Sequence, residues 1–547
     1  IVGVPGEVSV TDLNGNPIAG ATVYADAVSG VTGVNGIALF NFTASEQAVN
    51  MYAGKDGKYS YTYIVRTLTP KLTSTPSAIR SGTTLDPSTS KTIVWMANPA
   101  TAAEPSLIKI AKKADGEGSF QQFTGITRIL EFDAISSSGV AKGSKVTVTG
   151  LEPGTSYIYQ VGDGTNWSAT REFKTTANTN KFSFSAYGDL QATGSADMAL
   201  WIAAGETIES MEQKPFFSLN VGDIVDNDNN WAYHAHYSSL FDQRTGFANI
   251  DMVSGYGNHE YMGTPNADII KFLNGHPALE PSDKYDIAKV GDGTYASAYG
   301  NMIVIGLDWE SKGGGYTASQ RQTEQVKWLD EVLTAHADKT WKMITIHYEV
   351  PNTGFTPTSM ATLGPVLDKH NVQVVFCGHG HTFRRVQVKN NVWTPSNYTR
   401  TGTPVQDAGT MHWQLGGMRP SDGNSQRWVL GEVDGNTIKF TVRNGSNAIV
   451  ESECFTLTTV AQAPNDVDNV NSNSSIKVYP SSFTDALNVS GAENSMLQVM
   501  DITGARVYQQ KINDNNEVIY LRSLASGVYF FRIEKDKQVN MVKVLKN

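Results

Sequence analysis

Four apolar runs in the middle of this chain each end on a side chain able to ligate a metal. Asp189 follows Phe182–Ala186 through Tyr187-Gly188, and Asp223 follows Phe216–Val221 through Gly222. His347 directly follows Met343–Ile346, and His379 follows Val374–Phe376 through Cys377-Gly378. Strands of one sheet that end together place their next residues on one rim, where α/β proteins bind ligands. The glycines at 188, 222, 257 and 378 are expected to let the backbone turn sharply there. Two further stretches, Gly257-Asn258-His259-Glu260 and His379-Gly380-His381, complete an ordered set of Asp, Asp, Asn, His, His and His, with Asp308 after Ile305-Gly306-Leu307 as a weaker addition.

This set suits two adjacent cations. Hard or borderline metals take carboxylate oxygen and imidazole nitrogen. A carboxylate has two oxygens, so a single Asp can bridge a metal pair, and such pairs, about 4 Å apart, clamp both oxygens of an in-line displacement. Water bound to such a cation becomes a nucleophile near neutral pH.

At 547 residues the chain is long enough for three to five domains of about 150 residues each. Residues 1–68 alternate short apolar strands with Asn/Gly turns, such as Asn14-Gly15, and Asn35-Gly36 is a hairpin signal. They predict a small β-sandwich. Residues 69–177 predict a second sandwich, with Trp95 buried on one strand and Tyr157 just after the turn Leu151-Glu152-Pro153-Gly154. Residues 178–460 alternate strand-like runs with helical segments, an α/β pattern. One helix is expected from a Ser319 cap over Gln322–His336, with Val326, Leu329, Val332 and Leu333 on one face. Residues 461–475, rich in Asn, Asp and Ser, read as a linker, and residues 476–547 return to β.

The ordered motifs resemble the calcineurin-like metallophosphoesterase superfamily. Together with the preceding sandwich, whose Val161-Gly162-Asp163-Gly164 and Trp167-Ser168 match as well, they are most similar to the purple acid phosphatase branch over about residues 80–455. The first sandwich resembles carboxypeptidase-regulatory-like modules, and the second resembles fibronectin type III. The resemblance implies a fold of two β-sheets flanked by helices and a site for two metal ions, Fe, Zn or Mn. It implies that Asp189, Asp223 and His381 hold the first metal, that Asp223 bridges, and that Asn258, His347 and His379 hold the second. His259 is then a proton donor or phosphoryl-steadying group, and Arg385 matches the arginine that ends a family stretch. Two positions depart from the family pattern: Gln191 stands where many members carry His, and Asp226 where purple enzymes carry a metal-bound Tyr. The fourth ligand of the first metal is left open between Gln191, Asp226 and water, and the charge-transfer colour is expected to be absent. Tyr348–Thr353 replaces the family's histidines downstream of His347.

Other tempting residues have simpler readings. His234 and His236, two apart on a helix, point to different sides. The Asp226–Asn230 run lacks the Gly and Glu of a calcium loop. His412 and Asp308 are read as packing and turn residues. Cys377 reads as a buried thiol, with a Cys377–Cys454 disulfide as the alternative. The net charge of −10 with no Lys/Arg block argues against a nucleic-acid-binding surface. The apolar runs are too short for a transmembrane segment. The chain opens on Ile1, as removal of an export signal or trimming of the expressed piece would leave it.

The C-terminal stretch carries Val478-Tyr479-Pro480, Asp501-Ile502-Thr503-Gly504 and Leu524-Ala525-Ser526-Gly527-Val528-Tyr529. It resembles the type IX secretion sorting domain, which implies export across the outer membrane through the type IX secretion machinery. The function expected is that of a secreted dinuclear-metal phosphatase, hydrolysing small phosphomonoesters by attack of a metal-bound hydroxide. The alternatives are a phosphodiesterase or nucleotide hydrolase on the same core, and a catalytically inactive surface binding protein.

Overall fold

The computed structural model describes residues 6–12, 16–25, 28–40, 48–60, 63–66, 71–98, 105–134, 137–243, 248–262, 269–277, 285, 287–309, 316–348, 357–392, 397–405, 408–459, 476–479, 482–483, 485–501, 505–525, 527–535 and 538–546. Two compact units are present, residues 1–335 with 341–458 and residues 459–547 with 336–340. The Asn14-Gly15 turn, most of the stretch after Tyr348, the 461–475 linker, Pro480, Ile502–Gly504 and Ser526 lie outside the described residues.

Within residues 181–458 the strands sort into two sheets. We label β1 Lys181–Tyr187, β2 Phe217–Asn220, β3 Asp251–Ser254, β4 Tyr295–Tyr299, β5 Met302–Gly306, β6 Trp341–Thr345, β7 Val374–Cys377, β8 Phe383–Val388, β9 Thr410–Leu415, β10 Arg427–Asp434, β11 Thr437–Asn444 and β12 Phe455–Thr458. The first sheet runs β3-β2-β1-β10-β11-β12 and the second β4-β5-β6-β7-β9-β8. The metal-motif strands are parallel within each sheet: β1 with β2 and β2 with β3, then β5 with β6 and β6 with β7. The motif strands therefore divide between two sheets and do not end on the rim of one. Three motifs end strands of one sheet and two end strands of the other.

Period-2 burial explains how the sheets stack. On β5 and β7, Met302, Val304, Val374 and Phe376 join the core shared with Phe184, Phe217 and Leu219 of the first sheet. Their neighbours Ile303, Ile305 and Val375 face a second core with Leu329 and Leu333 of α3 (Ala318–Ala335) and Leu363 and Leu367 of α4 (Pro357–Lys369). Helices α1 (Ala199–Ser210) and α2 (Trp231–Gln243) pack through Trp201, Tyr237 and Phe241. Among these helices α3 starts earlier than its sequence suggested. Thr317 is the cap: its hydroxyl accepts from Gln320 N at 3.2 Å, and Gln320 Oε1 accepts from Thr317 N at 2.9 Å. This reciprocal capping box outcompetes Ser319.

The segment before the α/β region is joined to it through the backbone. Strand Ser77–Gly82 pairs in parallel with β3 at Gly82 and Met252, so the first sheet continues into Ser90–Ala97 and Ser137–Thr149. A four-stranded sheet, Gln121–Thr124, Leu107–Lys112, Ser156–Gly162 and Arg171–Lys174, lies across the shared core of Trp95, Ile108, Tyr159 and Phe173. Trp95 is buried as expected, and Tyr157 Oη accepts from Glu152 N at 2.9 Å, a tyrosine corner.

In the N-terminal segment the Asn35-Gly36 turn forms, but it does not close a hairpin. Strand Val28–Val31 pairs with Thr22–Ala25, and Ile37–Phe40 pairs with Gly6–Ser9, so the turn links two sheets. The C-terminal unit has its own core, including Leu487, Val489, Leu497, Val499, Phe531 and Ile533, drawn from a three-stranded antiparallel sheet and a five-stranded sheet in which only Ser482–Phe483 pairs in parallel. The alternative disulfide is not formed: Cys377 and Cys454 are not bonded to each other, and Cys377 is buried. Among the described residues no helix is long and apolar enough to cross a membrane.

Candidate metal centre

The five turns that leave β1, β2, β3, β6 and β7 converge. Their convergence relies on an unusual backbone: Asp189 (φ 42°), Gln191 (39°), Asp223 (52°), His379 (64°) and His381 (47°) all sit in the left-handed region. The adjacent glycines serve mainly for close approach. Only Gly222 among the four, at φ 115°, uses the conformational freedom of glycine. A Cβ at Gly257 would lie 2.2 Å from Asp223 Oδ1, and one at Gly378 would lie 2.4 Å from Asp189 Oδ2. The ligand side chains occupy the space that a side chain at these positions would need.

Asp223 is the hub. It is buried, and its Oδ2 lies 3.1 Å from His347 Nε2 and accepts from Gln191 Nε2 at 3.2 Å. Its Oδ1 accepts from His259 N at 3.0 Å. On the second-metal side, ligand atoms of Asp223, His347 and His379 lie within 4.8 Å of one another, and Asn258 Oδ1 is 3.0 Å from His379 Nδ1. On the first-metal side, Asp189 Oδ1 accepts from His379 N at 2.8 Å and lies 3.8 Å from His381 Nε2.

The imidazoles are oriented from behind. His347 Nδ1 donates to Val221 O at 3.1 Å, leaving Nε2 toward Asp223. His381 Nδ1 donates to Asp422 Oδ1 at 2.7 Å, leaving Nε2 toward Asp189. A metal-bound histidine has its second ring nitrogen fixed in this manner. Among the described residues two buried atoms, Asp189 Oδ2 and Gln191 Oε1, have no hydrogen-bond partner, and His347 Nε2 faces the Asp223 carboxylate. Buried polar atoms in proteins usually find partners, and this convergent oxygen-and-imidazole donor set fits hard or borderline cations. Gln191 is a buried candidate for the open fourth position. Asp226 instead places its carboxylate 3.5 Å from His259 Nδ1 and 4.0 Å from Arg419 Nη1.

Electrostatics are those of a site built for positive charge. Burial and the nearby Asp223 push Asp189 up to about 7. Burial acts against the charge on Asp223 as well, but His347 and His259 hold it down at about 2. Burial disfavours the His347 cation, yet Asp223 and Asp189 outweigh it and push the imidazole up to about 10. Burial and the neighbouring His347 lower His379 to about 4.

His259 stands beside the cluster, not in it. Its Nδ1 donates to Asp226 O at 2.6 Å, which turns Nε2 toward Asp223 Oδ2 at 3.8 Å. Arg385 is a correction. It is buried on β8, its guanidinium donates to Arg400 O at 2.9 Å and to Gly402 O, and it stacks 4.3 Å over Phe455. Its position in sequence after His381 suggested the site, but strand pairing with β9 turns it into the sheet's packing. Asp308 accepts from Tyr261 Oη and from Gly293 N, a turn role. His234 is buried, with Nε2 2.8 Å from Asp228 O.

Three residues carry weight that the sequence did not assign. Glu260 is fully buried and accepts from Asp223 N, Ile224 N and Gly257 N at 2.8, 2.7 and 2.7 Å, tying two motif turns together. It belongs to a quoted motif, so its place was visible though its task was not. Asp422 and Arg419 come from the loop after β9, where no motif marks them.

Comparison with known families agrees with this geometry. The family model for calcineurin-like phosphoesterases matches residues 184–383. The chain carries a calcineurin-like phosphoesterase domain. The purple acid phosphatase N-terminal domain matches residues 76–175, and the secretion system C-terminal sorting domain matches residues 477–547. The phosphoesterase domain implies a divalent metal centre, and the sorting domain marks the chain for export to the cell surface or release through the type IX machinery. Among solved structures, that of PhoD aligns at 13% identity over 81% of this chain and 94% of its own, with a TM-score of 0.43. A dimetal phosphatase from Danio rerio aligns at 16% identity over 51% and 98%, with a TM-score of 0.36.

Proposed function

We propose that this chain is a secreted dinuclear-metal phosphatase acting on small phosphomonoesters. The observation that supports it most is the buried Asp223 carboxylate, whose Oδ2 faces both Gln191 and His347 at the meeting point of the candidate ligands. Asp189, Asp223, His381 and Gln191 would hold one cation, and Asp223, Asn258, His347 and His379 the other. When bound, the cations supply Lewis acidity to the phosphoryl oxygens and acidify the attacking water.

The protein's own groups do the rest. His259, fixed by its bond to the Asp226 carbonyl, presents Nε2 to the cleft and protonates the leaving oxygen. Asp422 and the Val221 carbonyl keep two imidazoles in the ligating tautomer. No side chain is required to carry a covalent phosphoryl group.

The test is phosphate release from an aryl phosphate by chelator-stripped protein, titrated with manganese, zinc or iron. Activity is expected to return with metal. His259→Ala is expected to cut turnover by about 100- to 10,000-fold with metal content intact. Metal bound without turnover on any ester would favour the inactive binding protein, and turnover on diesters alone would favour the phosphodiesterase.

A further inference from the structure

We propose that Arg419 is the residue that binds the dianionic phosphoryl group and gives the site its preference for monoesters over diesters; this rests on the phosphatase reading above. A monoester carries one more charged oxygen than a diester, and a guanidinium presents a planar fork of donors that suits it. In a chain of net charge −10, a cation beside the metal ligands adds local attraction for an anionic group.

Arg419 is the cation whose placement meets that need. Its side chain is 24% exposed, and Nε is buried with no hydrogen-bond partner among the described residues. Its nearest carboxylate, Asp226 Oδ1, is 4.0 Å from Nη1, too far for a hydrogen bond. Among the described residues the other arginines of the phosphoesterase domain are engaged. Arg385 donates to the Arg400 and Gly402 carbonyls, while Arg400 and Arg427 both donate to Glu453. Lys271 is paired with Asp292.

The loop bearing Arg419 is stitched to the metal residues on both sides. Arg419 N donates to Asp422 Oδ2 at 2.8 Å, while Asp422 Oδ1 accepts from His381 Nδ1 at 2.7 Å. Met418 N donates to Asp189 O at 3.3 Å. Gly417 leaves room for this tether, since a Cβ there would lie 2.0 Å from Asp422 Oδ2. One carboxylate thus sets a metal-ligand imidazole and the Arg419 backbone together. Asp226, which lies 3.5 Å from His259 Nδ1, completes a wall in which the carboxylate competes with substrate for the guanidinium.

The experiment compares kcat/KM on an aryl phosphomonoester and the matching diaryl diester, with inhibition by inorganic phosphate, in metal-loaded wild type, Arg419→Ala, Arg419→Lys and Asp226→Asn. Arg419→Ala is expected to lower monoester kcat/KM about 10- to 100-fold, the range for one charge-assisted hydrogen bond, mostly through KM. The monoester-to-diester ratio and phosphate inhibition should weaken with it, metal content should stay unchanged, and Arg419→Lys should recover part of the loss. Asp226→Asn should tighten phosphate inhibition. An unchanged ratio in Arg419→Ala, or looser phosphate inhibition in Asp226→Asn, overturns the assignment. If Arg419→Ala loses metal, the Lys and Asn variants decide on the same criteria. Wild type inactive on both esters would sink the phosphatase reading instead.

Discussion

At single residues, the cost of building this centre falls on the ligands. A non-glycine residue in the left-handed region costs about 1–2 kcal/mol, and Asp189, Gln191, Asp223, His379 and His381 all bear it. Glycine could not replace them without losing the donor atom, so the neighbouring positions yield space instead. Gly257→Ala should therefore be among the more damaging small changes. Its methyl would meet Asp223 Oδ1 at 2.2 Å and His347 Cδ2 at 2.4 Å. It is expected to weaken metal binding by about 10- to 100-fold, as changes behind ligands do; metal analysis after dialysis checks this, and full stoichiometry would contradict it. The acid–base state of the ligands gives a second expectation. In metal-free protein His347 is raised to about 10 and Asp189 to about 7, so near neutral pH the former holds its proton and the latter is partly protonated. Ligation needs both deprotonated. Metal uptake at pH 7 should release protons, and affinity should rise as pH rises from 6 toward 8; calorimetry in buffers of different ionisation enthalpy would measure the count. No proton release would mean these groups do not ligate. Asp189, Asp223, His347 and His379 were legible in sequence as candidates because each closes an apolar run, while Gln191 and His381 were visible only by their spacing from those motifs. Their backbone strain was not, because the adjacent glycines looked like the residues that would carry it.

Turns and strands show why motif order alone could not give the geometry. Alternation of Met302, Ile303, Val304 and Ile305 between two cores makes β5 readable as a strand buried on both faces. Nothing in that alternation says which sheet it joins, and the motif turns divide between two sheets as a result. Long-range groups then hold the turns in register. Glu260 does this for the turns after β2 and β3 by accepting from three backbone amides. Glu260→Gln would aim an amide N–H at one of those donors. It is expected to cost about 1–3 kcal/mol, the range for a buried group left unsatisfied, read as a lower Tm in the metal-loaded protein. An unchanged Tm would mean the turns hold each other without it. Asp422 and Arg419 act across similar distances from the loop after β9, and a side chain that reaches the site from such a loop leaves no periodic or spaced signature. Arg385 shows the converse: its sequence proximity to His381 was real, but strand pairing carried its side chain elsewhere.

Across the whole molecule, the flanking segments differ in how they depend on the phosphoesterase domain. The segment at residues 77–174 shares structure with it. Gly82 pairs with Met252, Arg80 Nε donates to Leu273 O at 2.6 Å, and buried Lys91 pairs with buried Asp251. Cutting the chain before 178 would strip Asp251 of its cation, and an uncompensated buried charge costs about 3–5 kcal/mol. The C-terminal unit is the opposite case. Its core cluster draws only on residues from Ile476 onward. Every residue assigned to the metal centre, from Asp189 to Asp422, lies in the first unit. A chain ending at residue 459 should therefore keep the kcat, metal content and Tm of the catalytic unit while losing export, since the sorting domain at residues 477–547 is what addresses it. Purified truncated protein assayed beside the full chain, with fractionation of the producing cells, tests both halves. A drop in kcat or metal content would show that the tail supports the site, and export without the tail would show that a different segment carries the address.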